Sequence, residues 1–199
     1  MTIGTLVMLN GASSSGKTTT AEALLPLLGP ACVHTGFDHM LERARPFGPE
    51  PETRVAGLRR SMRIVAFHLT DGRVRLAMTL HREAATLARA GHDVVVDTVL
   101  MDRRALRDAA ACFAPLNGLF VGMKPPLDVS ERWEAERGDR PRGHARRHYV
   151  QVHAHDAYDL VLDPSALTPR QCALAIAQRL EGGPPPSAFR RLLRDGGEE

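Results

Sequence analysis

Residues 11–18 have the spacing of a phosphate-binding loop. They read Gly-Ala-Ser-Ser-Ser-Gly-Lys-Thr and match the pattern G-x-x-x-x-G-K-[ST] at every fixed position. Glycines at both ends allow such a loop to fold tightly around an anion, so that successive backbone N–H groups point inward. A helix that starts at the end of the loop adds the positive end of its dipole. The motif therefore predicts that the chain binds a nucleotide.

Each residue of the loop has an expected role in that binding. We expect Lys17 to reach the β- and γ-phosphates and the Thr18 hydroxyl to bind Mg²⁺. An apolar stretch precedes the loop and a helical pattern follows it, which counts against a chance match of a serine- and glycine-rich turn. The predicted nucleotide contacts are Gly11, Ala12, Ser13, Ser14, Ser15, Gly16, Lys17 and Thr18.

The nucleotide could be hydrolysed to drive motion, or its phosphate could be transferred to an acceptor. A chain of 199 residues leaves little room for a motor module, and no switch-type or guanine-specifying motif occurs. Small kinases with this loop need an acceptor site, a base near the acceptor hydroxyl and mobile arginines that neutralise the transferring phosphate. The chain offers candidates for the base and for the arginines.

Asp38 is the candidate base. It lies just beyond the second predicted strand, in the sequence Thr-Gly-Phe-Asp-His over 35–39. Ligands of open α/β sheets bind at the carboxyl ends of the strands, where a carboxylate can take the proton of an acceptor hydroxyl. Asp is also a good N-cap for a helix starting at His39, and the two roles are compatible.

Asp97 ends the third predicted strand, after three consecutive valines over 94–96. An apolar strand that ends in Asp resembles the Walker B arrangement, in which the carboxylate holds a water on Mg²⁺. Asp97 is therefore predicted as a metal-site residue beside Thr18. Contact with the acceptor is an equally good role, because the same strand end faces the cleft.

Residues 137–143, Arg-Gly-Asp-Arg-Pro-Arg-Gly, are predicted to form a lid. Guanidinium groups suit phosphate oxygens, and a loop flanked by glycines can close over them. Arg137 and Arg140 are the predicted catalytic arginines, and Asp139 would order them. The alternative is an ordinary charged connection between two helices.

Nine histidines invite a metal-site interpretation, above all His148, His153 and His155. The spacing from His148 to His153 is i to i+5, which suits one helical face poorly, and no His–carboxylate triad spacing appears. We interpret these histidines as surface or acceptor-cleft residues. The expected metal is Mg²⁺ that arrives with ATP.

Strands and helices alternate along the chain, which predicts a three-layer α/β domain with a mainly parallel sheet. The run of valines at 94–96 is typical of a strand covered on both faces. The predicted strands are Thr5–Asn10, Ala31–Thr35, Asp93–Val99, Gly118–Met123 and Asp159–Leu162. The predicted helices are Thr18–Leu28, Ala77–Ala90, Asp102–Phe113, Asp128–Arg137, Arg142–His155 and Pro169–Leu180.

Two regions interrupt this alternation. Residues 45–76 form a long insertion that includes a possible hairpin, Ile64–Leu69 with Arg73–Leu76. An insertion of that length in an α/β domain is usually functional, and we expect it on the acceptor side. Residues 182–199 are rich in Gly and Pro and are expected to be a flexible tail, with a possible helical turn at 189–193. A single domain over 1–181 precedes that tail.

The composition excludes several classes of protein. The chain is 43% hydrophobic and 25% charged, as expected of a folded globular domain. Its three cysteines have no paired spacing, which favours a reducing cytoplasm, and no apolar run approaches the length of about 18 residues that spans a membrane.

The charge pattern gives little support for a nucleic-acid partner. The net charge is +3, but the arginines are spread among acidic residues and aromatic residues are few. We therefore expect no nucleic-acid or membrane partner. The sequence leaves open whether the chain is a monomer or a homo-oligomer.

Several motifs in a fixed order resemble the chloramphenicol phosphotransferase-like family of small P-loop kinases, over about residues 4–180. The loop alone is generic, whereas its combination with Arg-Gly-Asp-Arg and Tyr-Asp-x-x-x-Asp is much more specific. The segments that carry the resemblance are Leu9–Thr18, Gly36–Asp38, Ala90–Gly91, Val94–Asp97, Phe120–Gly122, Glu136–Arg140 and Tyr158–Asp163.

The resemblance implies a P-loop kinase sheet in the order 2-3-1-4-5. It also implies ATP-dependent transfer of phosphate to an antibiotic hydroxyl, with Asp38 at the position of the base. The family tends to have two acidic residues after the third strand, whereas Thr98 follows Asp97 here, and the insertion at 45–76 is rich in arginine. A nucleotide, sugar or sugar-nucleotide kinase therefore stays open as an alternative, as does a nucleotide-binding regulator without an acceptor.

Overall fold

The computed structural model describes residues 2–43, 71–137, 143–155 and 157–195. Within these residues one parallel sheet has five strands in the order β2-β3-β1-β4-β5, which confirms the order that the resemblance implies. The strands are β1 (Leu6–Asn10), β2 (Val33–Gly36), β3 (Val94–Thr98), β4 (Leu119–Met123) and β5 (Leu160–Leu162).

The helices of the described residues follow the predicted alternation with the strands. They are α1 (Lys17–Leu28), α2 (Phe37–Arg43), α3 (Gly72–Arg89), α4 (Arg103–Phe113), α5 (Leu127–Arg137), α6 (His144–Val152), α7 (Pro169–Gly182) and α8 (Ala188–Asp195). Gly91, predicted as the stop of the helix before β3, has a φ of 96°, and Thr168 caps α7 with its side chain as predicted.

Helices cover both faces of the sheet, because the central strands carry apolar side chains on both faces. In β1, Leu6 and Met8 pack into one cluster with α3, α4 and α8. Val7 and Leu9 pack into a second cluster with α1 and α7. All five residues of β1 are buried, which is the burial pattern of a central parallel strand. The three-layer architecture leaves the carboxyl edge of the sheet as the place for a ligand.

The strand predicted over Arg73–Leu76 is wrong, since these residues form the first turn of α3. Their alternating polarity fits a strand, but Val74 begins a helical stripe that continues through the buried Ala77, Leu80 and Ala84. The remainder of the predicted hairpin and of the acceptor-side insertion, residues 45–70, lies outside the described residues.

Residues 188–195 of the expected tail form α8, which contains the possible helical turn predicted at 189–193. Phe189 is 1% exposed and packs between the rings of Phe113 and Phe120, at centroid distances of 5.4 and 4.7 Å. The Asp159 carboxylate accepts hydrogen bonds from the backbone N–H groups of Ser187 (2.7 Å) and Ala188 (2.9 Å). This aromatic anchor and this cap fix α8 against the sheet.

Among the described residues, no helix combines the length and the apolar character that crossing a membrane requires.

Candidate active site

The loop between β1 and α1 has the local geometry that its sequence predicts. A Cβ atom on Gly11 would lie 2.5 Å from Ser15 Oγ and 2.6 Å from the Met123 carbonyl oxygen, so no side chain fits there. Gly16 has a φ of 76° and Ser14 a φ of 57°, both in the left-handed region. Left-handed residues within a turn direct consecutive N–H groups inward, and the loop ends at the N-terminus of α1.

Lys17 is folded over this loop rather than extended into solvent. Its side chain is 7% exposed, and Nζ donates to the Ala12 carbonyl oxygen at 2.7 Å. Ser14 Oγ is buried and has no hydrogen-bond partner within the described part of the chain. A buried hydroxyl without a partner in a phosphate-binding loop fits a polyanion such as a nucleotide phosphate chain.

Thr18 and Asp97 meet although 79 residues separate them in the sequence. Thr18 Oγ1 donates to Asp97 Oδ2 at 2.6 Å. The sheet register causes this contact, because Asp97 pairs with Leu9 of β1 just before the loop begins. Hydroxyl and carboxylate oxygens side by side are the donors that Mg²⁺ prefers, so this pair fits a magnesium ion held beside the phosphates.

Asp38 lies in the first turn of α2, at the same edge of the sheet. Gly36, the last residue of β2, pairs with Asp97, so the ends of β1, β2 and β3 stand next to one another. Asp38 is exposed, and its charge acts on Arg73 of α3. Burial lowers the pKa of Arg73, and Asp38 counteracts that shift. The Arg73 guanidinium also lies 5.0 Å from the ring centre of Phe37.

His148 projects from α6 into the same region and is 7% exposed. Burial, and then the positive charges of His144, Arg73, Lys17 and Arg147, lower its pKa to about 4. Its imidazole is therefore neutral at physiological pH. The sequence predicts His148 only as a surface or acceptor-cleft residue and gives Arg73 no role, because nothing in the spacing of either residue shows that it lies near Lys17.

A buried hydrogen-bond network supports the root of the loop. Asn10, 0% exposed, donates through Nδ2 to the Tyr158 hydroxyl at 2.9 Å and to the Val152 carbonyl oxygen at 3.2 Å. Its Oδ1 accepts the backbone N–H of Leu100 at 2.9 Å. The single side chain of Asn10 thus connects β1 to the segment that follows β3 and to the end of α6, which fixes the loop relative to its neighbours.

Glu134 holds the start of α6 against α5. Its carboxylate is 4% exposed and accepts backbone N–H groups from Gly143 at 2.7 Å and from Ala145 at 2.8 Å. A second contact between the same helices, the Arg146–Glu131 ion pair at 2.6 Å, lies on the surface. A carboxylate at a helix N-terminus is favoured by the helix dipole, so Glu134 fixes the position from which His148 projects.

The predicted lid falls largely outside the described residues. Arg137 is the last residue of α5, whereas Arg140 is among the residues that are not described. Of the predicted site residues, the structure brings together the loop 11–18, Asp97 and Asp38 at one edge of the sheet. The residues that sequence analysis missed there are Asn10, Arg73, Glu134 and Tyr158.

The chain is similar to a described family and to named relatives. A family model described as chloramphenicol phosphotransferase-like protein matches residues 4–181. Two related proteins from strains of Mycobacterium tuberculosis, each named provisionally as an O-phosphotransferase, are 30% identical over 206 residues. Each alignment covers 96% of this chain and 88% of the relative.

Solved structures with a similar fold include kinases. An APS kinase of Mycobacterium tuberculosis in complex with AMPPNP and APS has a TM-score of 0.65 at 20% identity, over 92% of this chain and 100% of that one. A shikimate kinase from Acinetobacter baumannii in complex with shikimate has a TM-score of 0.62 at 15% identity, over 89% and 93%. These similarities show the fold of the chain.

Proposed function

The chain belongs to the chloramphenicol phosphotransferase-like family, and on that premise we propose that it is an ATP-dependent O-phosphotransferase. It moves the γ-phosphate of ATP to a hydroxyl group of a small molecule, and a chloramphenicol-like antibiotic is the first candidate acceptor. The observation that carries the proposal is the pairing of Thr18 with Asp97 at 2.6 Å beside a complete phosphate-binding loop. The three cysteines are free, in keeping with a cytoplasmic location.

The phosphate side of the proposed site is built from residues 11–18 and Asp97. Backbone N–H groups of the loop and Lys17 bind the β- and γ-phosphates. Thr18 and Asp97 hold Mg²⁺, which neutralises charge on the phosphate oxygens when it is bound. In the reaction Lys17 exchanges its bond to the Ala12 carbonyl oxygen for bonds to phosphate oxygens, so it stabilises the charge that develops there.

Asp38 serves the acceptor side. Its carboxylate takes the proton of the acceptor hydroxyl, whose oxygen forms a bond to the γ-phosphorus while the bond from that phosphorus to the bridging oxygen of ADP breaks. Arg73 of α3 lies close enough to Asp38 for the two charges to interact. Arg137 and Arg140 are proposed to close over the transferring phosphoryl group, as the sequence of the lid predicts.

The test is phosphate transfer from ATP to a panel of hydroxylated compounds, with products identified by mass. The panel contains chloramphenicol, tunicamycin, shikimate, APS, nucleosides and common sugars, so that antibiotic, nucleotide and sugar acceptors are all represented. A product heavier by one phosphoryl group would confirm the class of reaction and identify the acceptor. ATP binding without transfer to any compound would contradict the proposal and favour the nucleotide-binding regulator.

A further inference from the structure

His148 belongs to the buried face of α6. Ala145, His148 and Val152 are the buried residues of that helix, spaced three and four apart, so they share one side of it. The end of this face is tied to the root of the phosphate-binding loop, because Asn10 Nδ2 donates to the Val152 carbonyl oxygen at 3.2 Å. His148 lies one turn before Val152 and near enough to the loop for the charge of Lys17 to act on it.

The imidazole of His148 has a ring nitrogen that makes no hydrogen bond within the described part of the chain. His148 Nδ1 is buried and lacks a hydrogen-bond partner there. The ring meets His144 edge-on, with centroids 5.4 Å apart, and this contact does not satisfy a ring nitrogen. Native proteins rarely leave a buried polar atom without a partner, since such an atom gives up its hydrogen bonds to water and gains none in return. Such a group at a ligand site is available to the ligand.

The charges around His148 indicate which ligand it meets. Lys17 of the phosphate-binding loop and Arg73 of α3 both act on it electrostatically, and Arg73 in turn feels the charge of Asp38. His148 thus lies within electrostatic reach of the phosphate-binding loop and of the residue that neighbours Asp38. Since burial and the neighbouring cations keep its imidazole neutral, it suits an uncharged polar group better than a phosphate.

We propose that His148 determines acceptor specificity by a hydrogen bond to a second polar group of the acceptor, a hydroxyl or an amide next to the hydroxyl that is phosphorylated. A neutral imidazole has one donor and one acceptor nitrogen and can serve either group. The inference rests on the proposed function and deepens it, because it requires an acceptor with two neighbouring polar groups. Simple monohydric alcohols are then poor substrates.

The experiment compares the wild-type chain with His148→Leu and His148→Gln. Two substrates are compared for each chain. One is the compound that is phosphorylated in the panel, and the other is an analogue of it in which the second polar group is replaced by hydrogen or methylated. His148→Leu removes the hydrogen bond and is expected to raise the KM for the acceptor about 3- to 10-fold, with the KM for ATP unchanged. His148→Gln retains a donor and an acceptor and restores part of the affinity.

His81→Leu is the matched control, because His81 is also buried and its Nε2 also lacks a partner among the described residues. It packs between α3 and α4 against Phe113 and Asp108, and its loss is expected to lower the Tm without changing either KM. The acceptor analogue that lacks the second polar group is expected to bind the wild-type and His148→Leu chains equally well, because it has no group for His148 to bind.

Three results would overturn the inference. His148→Leu could leave the KM for the acceptor unchanged, or it could weaken acceptor and analogue by the same factor, which would reveal a merely structural role. Lack of transfer by the wild-type chain to every compound would overturn the proposed function itself, and the inference with it. The wild-type reaction therefore separates failure of the function from failure of the role of His148.

Discussion

Lys17 and Asp38 have separate tasks in the proposed reaction, and single substitutions separate them. Lys17→Ala is expected to abolish transfer, because the cation that stabilises the phosphate charge is lost. Asp38→Asn is expected to lower kcat about 10²- to 10⁴-fold, the usual contribution of a general base, while AMPPNP affinity stays close to that of the wild type. Steady-state kinetics and calorimetric titration measure both quantities. Normal turnover by Asp38→Asn would show that another group takes the proton.

Asp97 has two possible partners, Mg²⁺ and the acceptor, and one variant distinguishes them. Its contact with Thr18 favours the metal, so Asp97→Asn is expected to raise the Mg²⁺ concentration needed for half-maximal activity about tenfold or more. The KM for the acceptor should stay constant at saturating Mg²⁺. The reverse pattern, with a changed acceptor KM and an unchanged Mg²⁺ requirement, would assign Asp97 to the acceptor.

The burial of a neutral His148 makes stability depend on pH in a defined direction. The pKa of His148 is about 4 in the folded chain, against an ordinary value of 6.5 for histidine. Between these two pH values the unfolded chain therefore binds a proton at this residue, whereas the folded chain does not. Stability is therefore lost as the pH falls from 6.5 towards 4, with a slope of up to about 1.4 kcal/mol per pH unit from this group. The groups that oppose its protonation are Lys17, Arg73, His144 and Arg147.

Urea unfolding at pH 7 and pH 5 measures this slope. The wild-type chain is expected to lose more stability between the two values than His148→Gln, which has no imidazole to protonate. His92→Gln, which removes an exposed histidine, controls for the loss of one histidine. Parallel losses in the wild type and His148→Gln would show that His148 is already protonated in the folded chain or freely titrating.

The residues of the phosphate-binding loop and Asp97 could be found from the sequence because local spacing defines them. Gly11, Lys17 and Thr18 lie in one short motif, and Asp97 ends a recognisable strand. Arg73 and His148 could not be found in this way. Each lies on a helix that approaches the loop through tertiary packing, and a single basic residue on an amphipathic helix has no local signature.

At the scale of the elements, α8 is anchored mainly by Phe189. Its ring is 1% exposed and contacts Phe113 and Phe120, so Phe189→Ala is expected to destabilise the chain by about 3–5 kcal/mol. Leu193→Ala is the control, since Leu193 is 43% exposed in the same helix. Thermal and urea unfolding measure both. Equal stability of Phe189→Ala and wild type would contradict the docking of α8.

The sequence identified the apolar strands and the clearly capped helices, but it misjudged the first turn of α3 and gave α8 only as a possible helical turn at 189–193. Strands β1, β3 and β4 are apolar runs, and α7 begins with an obvious cap at Thr168. The first turn of α3 alternates like a strand, and its helical stripe becomes visible only with the residues that follow. The helix α8 stands after three consecutive prolines, and its cap, Asp159, lies 28 residues away in the chain.

At the scale of the whole molecule, the order of the strands brings the site together. β1 lies between β3 and β4, so the loop after β1 adjoins Asp97 at the end of β3, and β2 adds Asp38 on the far side. The alternation of strands and helices is enough to predict the three layers. The strand order follows from the resemblance to a family, because many parallel orders satisfy the same local pattern.

The central claim is that this chain transfers the γ-phosphate of ATP to a small-molecule hydroxyl. The most direct measurement uses ATP labelled with ¹⁸O on its γ-phosphate, with the acceptor product and inorganic phosphate analysed by mass. The wild-type chain is expected to give labelled phosphate ester on the acceptor, and Lys17→Ala is expected to give none. Label recovered entirely as inorganic phosphate, whatever acceptor is present, would show that the chain hydrolyses ATP and would contradict the proposed transfer.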